Sequence, residues 1–102
     1  MDGYQKKEYE FFNRDTRVAY NPDNRHIEYM QTIIDNETSV FFDADGTLNS
    51  ATRDNKRVRV NEDLARSSAL ENFRQISEQA TSPLKKTLAE KSVELLQNAK
   101  PG

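Results

Sequence analysis

Residues 39–50 read SVFFDADGTLNS, and this stretch combines an apolar run, two aspartates and a turn signal. Its β-branched and aromatic residues, 40–42, are typical of a strand. The Asp-Gly dipeptide at 45–46 favours reversal of the chain. We therefore predict a strand over residues 38–43, a turn, and a second, weaker strand over residues 47–51.

The residues that follow extend this β-element. Residues 56–60 alternate basic and apolar side chains, which predicts a further strand. In such a strand Val58 and Val60 face the core, while Arg57 and Arg59 face outward. The sequence RVAY at residues 17–20 is compatible with one more strand on the other side, although it is too short to decide its own structure.

The segment before the central strand carries two competing periodicities. Asn21-Pro22 reads as a helix start, because asparagine is a good N-cap and proline fits the first helical turn. Four apolar residues then recur at helical spacing: Ile27, Met30, Ile33 and Ile34. We predict a helix over residues 22–35. A strand over residues 26–35 is the alternative, since residues 27, 29, 31 and 33 alternate imperfectly.

Two helices are predicted after the β-element. Asn61 is a good cap for a helix over residues 62–79, and Ser82 before Pro83 caps a second helix. Leu88 and Leu95 lie on one face of the second helix and contribute to a core or an interface. The fold class is therefore α+β: a small antiparallel hairpin or meander of two to four strands, one preceding helix and a C-terminal helical pair.

The N-terminal residues are rich in aromatic side chains but have no good helix cap. We predict a short helix or a loose, flexible arm over residues 1–13, and a single α+β domain over residues 14–102. The aromatic residues of the arm are candidates either for the edge of the core or for contact with a partner: Tyr4, Tyr9, Phe11 and Phe12.

The composition bounds the class of protein. A chain of 102 residues accommodates one domain, and 34% hydrophobic residues with a mean hydropathy of −0.97 make that domain polar. The absence of cysteine excludes disulfides and cysteine-built zinc sites. The sequence has no secretory signal and no apolar run long enough to span a bilayer, so we expect a cytoplasmic protein without a membrane partner.

Charge is unevenly distributed. Residues 1–52 hold ten acidic and five basic residues (−5), residues 53–61 hold one and four (+3), and residues 62–102 hold six of each. The basic stretch suggests weak nucleic-acid binding as one alternative function, through Arg53, Lys56, Arg57 and Arg59. Nucleic acid is an unlikely partner, because affinity for phosphates needs many contacts and the remainder of the chain repels them.

The string VFFDADGTLNS resembles the first motif of the haloacid dehalogenase-like phosphatases over about a dozen residues. The resemblance implies Asp43 as the nucleophile, Asp45 as general acid and base, Thr47 in the phosphate-binding turn and magnesium nearby. A magnesium-dependent phosphatase-like activity is therefore a second alternative function. The family also needs groups from later strands of a parallel sheet, and no apolar strand is predicted after Asp63. The same residues are explained by turn chemistry.

We expect a small non-enzymatic interaction or assembly protein that acts through a protein–protein surface. The partner is another protein or a second copy of the chain, with no cofactor and no metal. One histidine, no cysteine and no glycine-rich phosphate loop leave few means of catalysis. The residues predicted for the interaction are drawn from the arm and the last helix: Tyr4, Tyr9, Phe11, Phe12, Leu88 and Leu95.

Overall fold

A computed structural model describes residues 6–99, which form an α+β fold. Six strands form an antiparallel sheet in the order of the chain, a simple meander. The strands are β1 (Glu8–Phe11), β2 (Arg17–Tyr20), β3 (Ile27–Ile34), β4 (Thr38–Asp43), β5 (Leu48–Arg53) and β6 (Lys56–Arg57). Two helices follow, α1 (Glu62–Gln79) and α2 (Pro83–Gln97).

The helix predicted over residues 22–35 is wrong, because β3 occupies most of that segment. In β3 the alternate residues Met30, Thr32 and Ile34 are buried, as the two-residue period of a strand requires. Met30 pairs with Val18 of β2 on one side and with Phe42 of β4 on the other. Ladder bonds to two neighbours stabilise the extended form, and local helical spacing does not compete with them.

The N-terminal segment also differs from the prediction of a short helix or loose arm. Residues 8–11 form β1, which pairs antiparallel with β2 and makes one edge of the sheet. The ammonium of Lys85 on α2 lies 3.1 Å from the Glu10 carboxylate and donates to the carbonyl of Phe11 at 2.8 Å. These contacts tie the edge strand to the helical layer. The sheet thus has six strands rather than two to four, and no helix precedes it within residues 6–99.

Tight turns join the strands where the sequence supplies residues that tolerate positive φ. Asp35 and Asn36 between β3 and β4, and Asp54 and Asn55 between β5 and β6, have φ between 48° and 63°. Aspartate and asparagine adopt this region more readily than other side chains do. These short connections explain why consecutive strands are neighbours throughout the sheet.

The two helices confirm the predicted starts. The Asn61 side chain accepts from the backbone N–H of Leu64, and the Ser82 side chain accepts from that of Lys85. α1 and α2 pack on one face of the sheet and bury the apolar residues that the strands direct toward them. The helix residues in this core include Ala65, Ala69, Phe73, Leu88 and Leu96. Neither helix of the described chain is long and apolar enough to cross a membrane.

A single helical layer leaves the sheet with two different faces. The residues of β2 to β5 that alternate with the core positions are directed to the opposite face. Neither α1 nor α2 lies on this opposite face, which we call the open face. Side chains that are directly opposed on neighbouring strands form rows across the open face, and the candidate site lies on this face.

Candidate interaction surface

Two of the cross-strand rows on the open face carry its aromatic side chains. In the first row, Phe11, Arg17, Gln31, Phe41 and Ser50 follow one another from β1 to β5. In the second row, Tyr9, Ala19, Tyr29 and Asp43 follow one another from β1 to β4. Directly opposed residues on one face of an antiparallel pair have their side chains in contact distance. The open face therefore carries four aromatic rings with one guanidinium among them.

Arg17 is the centre of this arrangement. Its guanidinium carbon lies 5.2 Å from the ring centroid of Tyr9, 5.4 Å from that of Phe11 and 6.0 Å from that of Tyr29. Its Nε donates to Oε1 of Gln31 at 2.8 Å. A cation at such distances is attracted by the negative faces of the rings. We call these five residues the Arg17 cluster.

A small residue allows the cluster to form. Ala19 lies between Tyr9 and Tyr29 in the second row and is fully buried. The two tyrosine rings approach each other across β2, with centroids 5.9 Å apart and planes inclined by 59°. Burial raises the pKa of the Tyr29 phenol above its ordinary value, although Arg17 acts in the opposite direction. The cluster is thus packed in advance on the sheet surface.

The outer part of the cluster is nevertheless exposed to solvent. Tyr9 keeps 47% and Phe11 keeps 54% of its surface accessible. Large aromatic side chains exposed to this extent are typical anchors of protein–protein interfaces. Leu64 on α1 is also exposed, at 65%, but it stands outside the Arg17 cluster and on the helical layer.

Phe41 extends the apolar surface toward the other side of the sheet. It is half-buried, and together with Tyr29, Asp43, Asn49 and Ser50 it lines a shallow cavity of about 230 Å³. Its neighbour Phe42 is directed to the other face and is fully buried in the core. The paired phenylalanines of the central strand therefore serve opposite faces of the sheet.

The aromatic and leucine residues predicted for an interaction lie in different parts of the structure. Tyr9 and Phe11 lie on the open face, whereas Phe12 packs edge-to-face against Phe73 of the core, with centroids 5.9 Å apart. Leu88 is fully buried and Leu95 packs against the same core. Tyr4 lies outside the described residues. The structure brings Tyr9 and Phe11 together with Arg17, whereas it places Leu88 in the interior and Leu95, partly buried, at the margin of the core.

The basic residues 53–59 lie at and just after the β5–β6 hairpin, where Lys56 pairs with Arg53 and Arg57 pairs with Thr52. The guanidinium of Arg53 donates to Oγ1 of Thr38 at 2.8 and 3.0 Å and lies 3.6 Å from the Asp35 carboxylate. Lys56, Arg57 and Arg59 are exposed beside this residue. As predicted, Val58 and Val60 pack against the core.

The two aspartates of the motif that resembles a phosphatase take part in a turn. Gly46 N–H donates to the Asp43 carbonyl at 2.9 Å, and Asp43 N–H donates to the Thr47 carbonyl at 2.9 Å. The Asp45 carboxylate accepts from the backbone N–H and the hydroxyl of Thr47 at 3.0 and 2.7 Å. These hydrogen bonds hold the pKa of Asp45 below its ordinary value. Asn49 donates to the Asp43 carboxylate at 3.2 Å.

The environment of this turn differs from what the resemblance implies. The strands on both sides of it are antiparallel, whereas the resemblance implies a parallel sheet. No group of three or more histidine, aspartate or glutamate side chains placed to hold a metal ion occurs in residues 6–99. The turn hydrogen bonds account for the positions of Asp43 and Asp45.

A second, polar cleft of about 710 Å³ lies between α1 and the turns that follow β1 and β3. At its base the Thr16 and Thr32 hydroxyls are 2.8 Å apart, and Asn72 Nδ2 donates to Thr32 Oγ1 at 3.1 Å and to the Ile33 carbonyl at 2.8 Å. These groups are bonded to one another, which supports a structural role. The hydrogen bonds of Asn72 at the base of the cleft join α1 to the sheet.

Comparisons with protein-family models, with curated proteins and with solved structures give no significant match to this chain. The open face is therefore the feature of this chain from which a function can be inferred. Sequence reasoning missed Arg17, Tyr29, Gln31 and Phe41 as members of a surface. The sequence did contain one signal for Tyr29 and Gln31, the alternation of residues 27–33. If that segment is taken as a strand, residues 29 and 31 face away from the core.

Proposed function

We propose that this chain is a non-enzymatic interaction protein that binds another protein surface through the open face of its sheet. The observation that carries the proposal is the exposure of Tyr9 and Phe11 next to the Arg17 guanidinium. Interface centres are enriched in tyrosine, phenylalanine and arginine. The same residue types in a prepacked cluster lose little side-chain entropy on binding.

A protein partner accounts for the face better than a nucleic acid does. The Arg17 guanidinium is engaged by rings and by Gln31, while the carboxylate of Asp43 lies in the neighbouring row. Single-stranded nucleic acids need ring faces free for stacking and a positive groove for the backbone. Here two of the rings contact each other, and the face carries an acidic residue as well as a basic one.

The proposal is tested by changing the exposed part of the cluster. In affinity purification from host extract, the variant Tyr9→Ser plus Phe11→Ser is expected to lose a bound protein that the unchanged chain retains. Leu64→Ser is the matched control, because it removes an even more exposed apolar residue from α1. Protection from hydrogen exchange in the retained complex should map to β1, β2 and β3. Equal capture by both variants, or protection confined to the helices, would reject the proposal.

Two alternative functions predicted from the sequence have their own tests. Binding to single-stranded nucleic acid that weakens steeply with salt and with Arg57→Ala plus Arg59→Ala would favour the basic segment. Magnesium-dependent hydrolysis of a generic phosphate ester that disappears in Asp43→Asn would favour the phosphatase-like reading. The proposed function predicts neither result.

A further inference from the structure

We infer that a second copy of this chain is the occupant of the open face, in a twofold face-to-face pair whose axis runs along β3. This inference rests on the proposed function, because it names the partner of the same surface. Three features support it: the position of β3 in the sheet, the charge of the two rows, and the area that the face offers.

The symmetry follows from the strand order. β3 is the longest strand, and it lies at the centre of the five strands that have four or more residues. A twofold interface buries the same patch on both copies, so the axis passes through the centre of the patch. With the axis along β3, β2 of one copy faces β4 of the other, and β1 faces β5. Sheets packed face to face keep their strands within about 30° of alignment.

The charges distinguish this axis from the perpendicular one. With the axis along β3, Arg17 comes opposite Phe41 of the second copy, because the two residues share a row. Asp43 of the second copy is the next residue along β4 that is directed to the open face. A cation thus meets an aromatic ring and a carboxylate. A twofold axis across the strands at the level of the first row brings β2 against β2 and opposes Arg17 to its own copy, which is repulsive.

The area of the face predicts the strength of the pair. Five strands, each about 4.8 Å wide in the plane of the sheet and on average roughly 20 Å long, give a face on the order of 500 Å² per copy. The total of about 1,000 Å² lies near the lower limit of specific interfaces. We therefore expect a weak, concentration-dependent dimer, with a dissociation constant on the order of 100 μM.

Charge exchange between two variants tests the arrangement. In sedimentation equilibrium, Arg17→Glu and Asp43→Lys should each weaken self-association by about tenfold or more, because each opposes like charges twice in the pair. An equimolar mixture of the two variants should associate about as well as the unchanged chain, since both contacts then join opposite charges. Thermal unfolding of each variant verifies that the fold is retained.

Cross-linking gives a second measurement that does not need a charge change. The chain has no cysteine, so Gln31→Cys, on the axis, introduces a single thiol that a short bismaleimide should join to its own copy. Phe11→Cys should be joined to Ser50→Cys in a mixture, but not to itself. Leu64→Cys on α1 is the control and should remain uncoupled.

Each result decides the inference. Restoration in the mixed sample and coupling at Gln31→Cys support the pair along β3. A monomer at all concentrations, a mixture that stays dissociated, or coupling at Leu64→Cys alone overturns it. The chain could be a monomer and still capture a protein that the variant Tyr9→Ser plus Phe11→Ser does not capture. That result would support the proposed function with a different protein as partner. The two failures are therefore distinguishable.

Discussion

Gly46, in the turn between β4 and β5, lies directly against the backbone carbonyl of Leu95 in the last part of α2. A Cβ at position 46 would stand 2.8 Å from the Cβ of Ala99. On the other side, Arg66 Nε of α1 donates to the Gly46 carbonyl at 3.3 Å. The turn that the sequence marks with Asp-Gly is thus held between both helices.

We predict that Gly46→Ala destabilises the protein by about 3 kcal/mol, because a left-handed backbone costs about 1–2 kcal/mol for an L-residue and overpacking adds to this cost. The φ of Gly46 is 85°. Asn55→Ala is the matched control, since Asn55 has a φ of 63° in an exposed turn. Urea unfolding of both variants separates the cost of the left-handed backbone from the cost of overpacking. The control should lose only about 1 kcal/mol of unfolding free energy, the backbone cost. Equal losses would show that α2 does not constrain the turn.

The paired phenylalanines of β4 should respond in opposite ways to substitution. Phe42→Ala is expected to lose about 3–5 kcal/mol of unfolding free energy, because the residue is fully buried and leaves a cavity. Phe41→Ser should reduce association through the open face and change stability by much less. Chemical denaturation and sedimentation, applied to both variants, measure the two effects. A larger stability loss for Phe41→Ser would contradict the assignment of the faces.

The hydroxyls of Thr16 and Thr32 form a buried pair to which Asn72 of α1 is hydrogen-bonded, and the two threonines should be energetically coupled. Thr32→Val is expected to cost about 1–3 kcal/mol, since it leaves both Thr16 and the Asn72 amide with one hydrogen bond fewer. Thr16→Val removes one contact and should cost less. A double-mutant cycle should show that the combined loss is smaller than the sum of the single losses. Strict additivity would mean that the two hydroxyls do not interact.

Stability should fall at alkaline pH because of Tyr20. Burial raises the pKa of its phenol above the ordinary value, and the carboxylates of Glu8 and Glu10 add to the rise. The unfolded chain therefore loses the proton first, so this stability is complete below a pH of about 10 and decreases as the pH rises toward the folded pKa. Tyr20→Phe should flatten the decline in urea unfolding above a pH of about 10. An unchanged pH slope in that variant would contradict the assignment. The pKa of the Tyr29 phenol is also raised. Adding Tyr29→Phe to Tyr20→Phe should therefore reduce the remaining alkaline decline in stability further.

Much of the fold could be predicted where local chemistry decides structure. Asn61 and Ser82 were recognisable as caps, and the helices begin immediately after them. The strand over residues 38–43 and the turn at Gly46 were likewise recognisable from β-branched, aromatic and turn residues. These features depend on neighbours in the chain, which the sequence contains directly.

The segments that could not be predicted are those whose secondary structure depends on pairing with strands distant in the sequence. Ile27, Met30, Ile33 and Ile34 fit a helical face, yet β3 forms because β2 and β4 supply partners on both sides. Residues 8–11 carry no strong signal of their own and become a strand by pairing with β2. Of the candidate surface, only Tyr9 and Phe11 were foreseen.

The amino-acid sequence by itself determined the helical pair, the central strand and the reversal after it, because capping, branching at Cβ and left-handed turn positions act within a few residues. Only the tertiary structure decided that Arg17 meets Tyr9, Phe11 and Tyr29. These residues come from three strands, and their contact requires the register of the meander and the small side chain of Ala19 between the rings. The open face likewise exists only because both helices pack on the same side of the sheet.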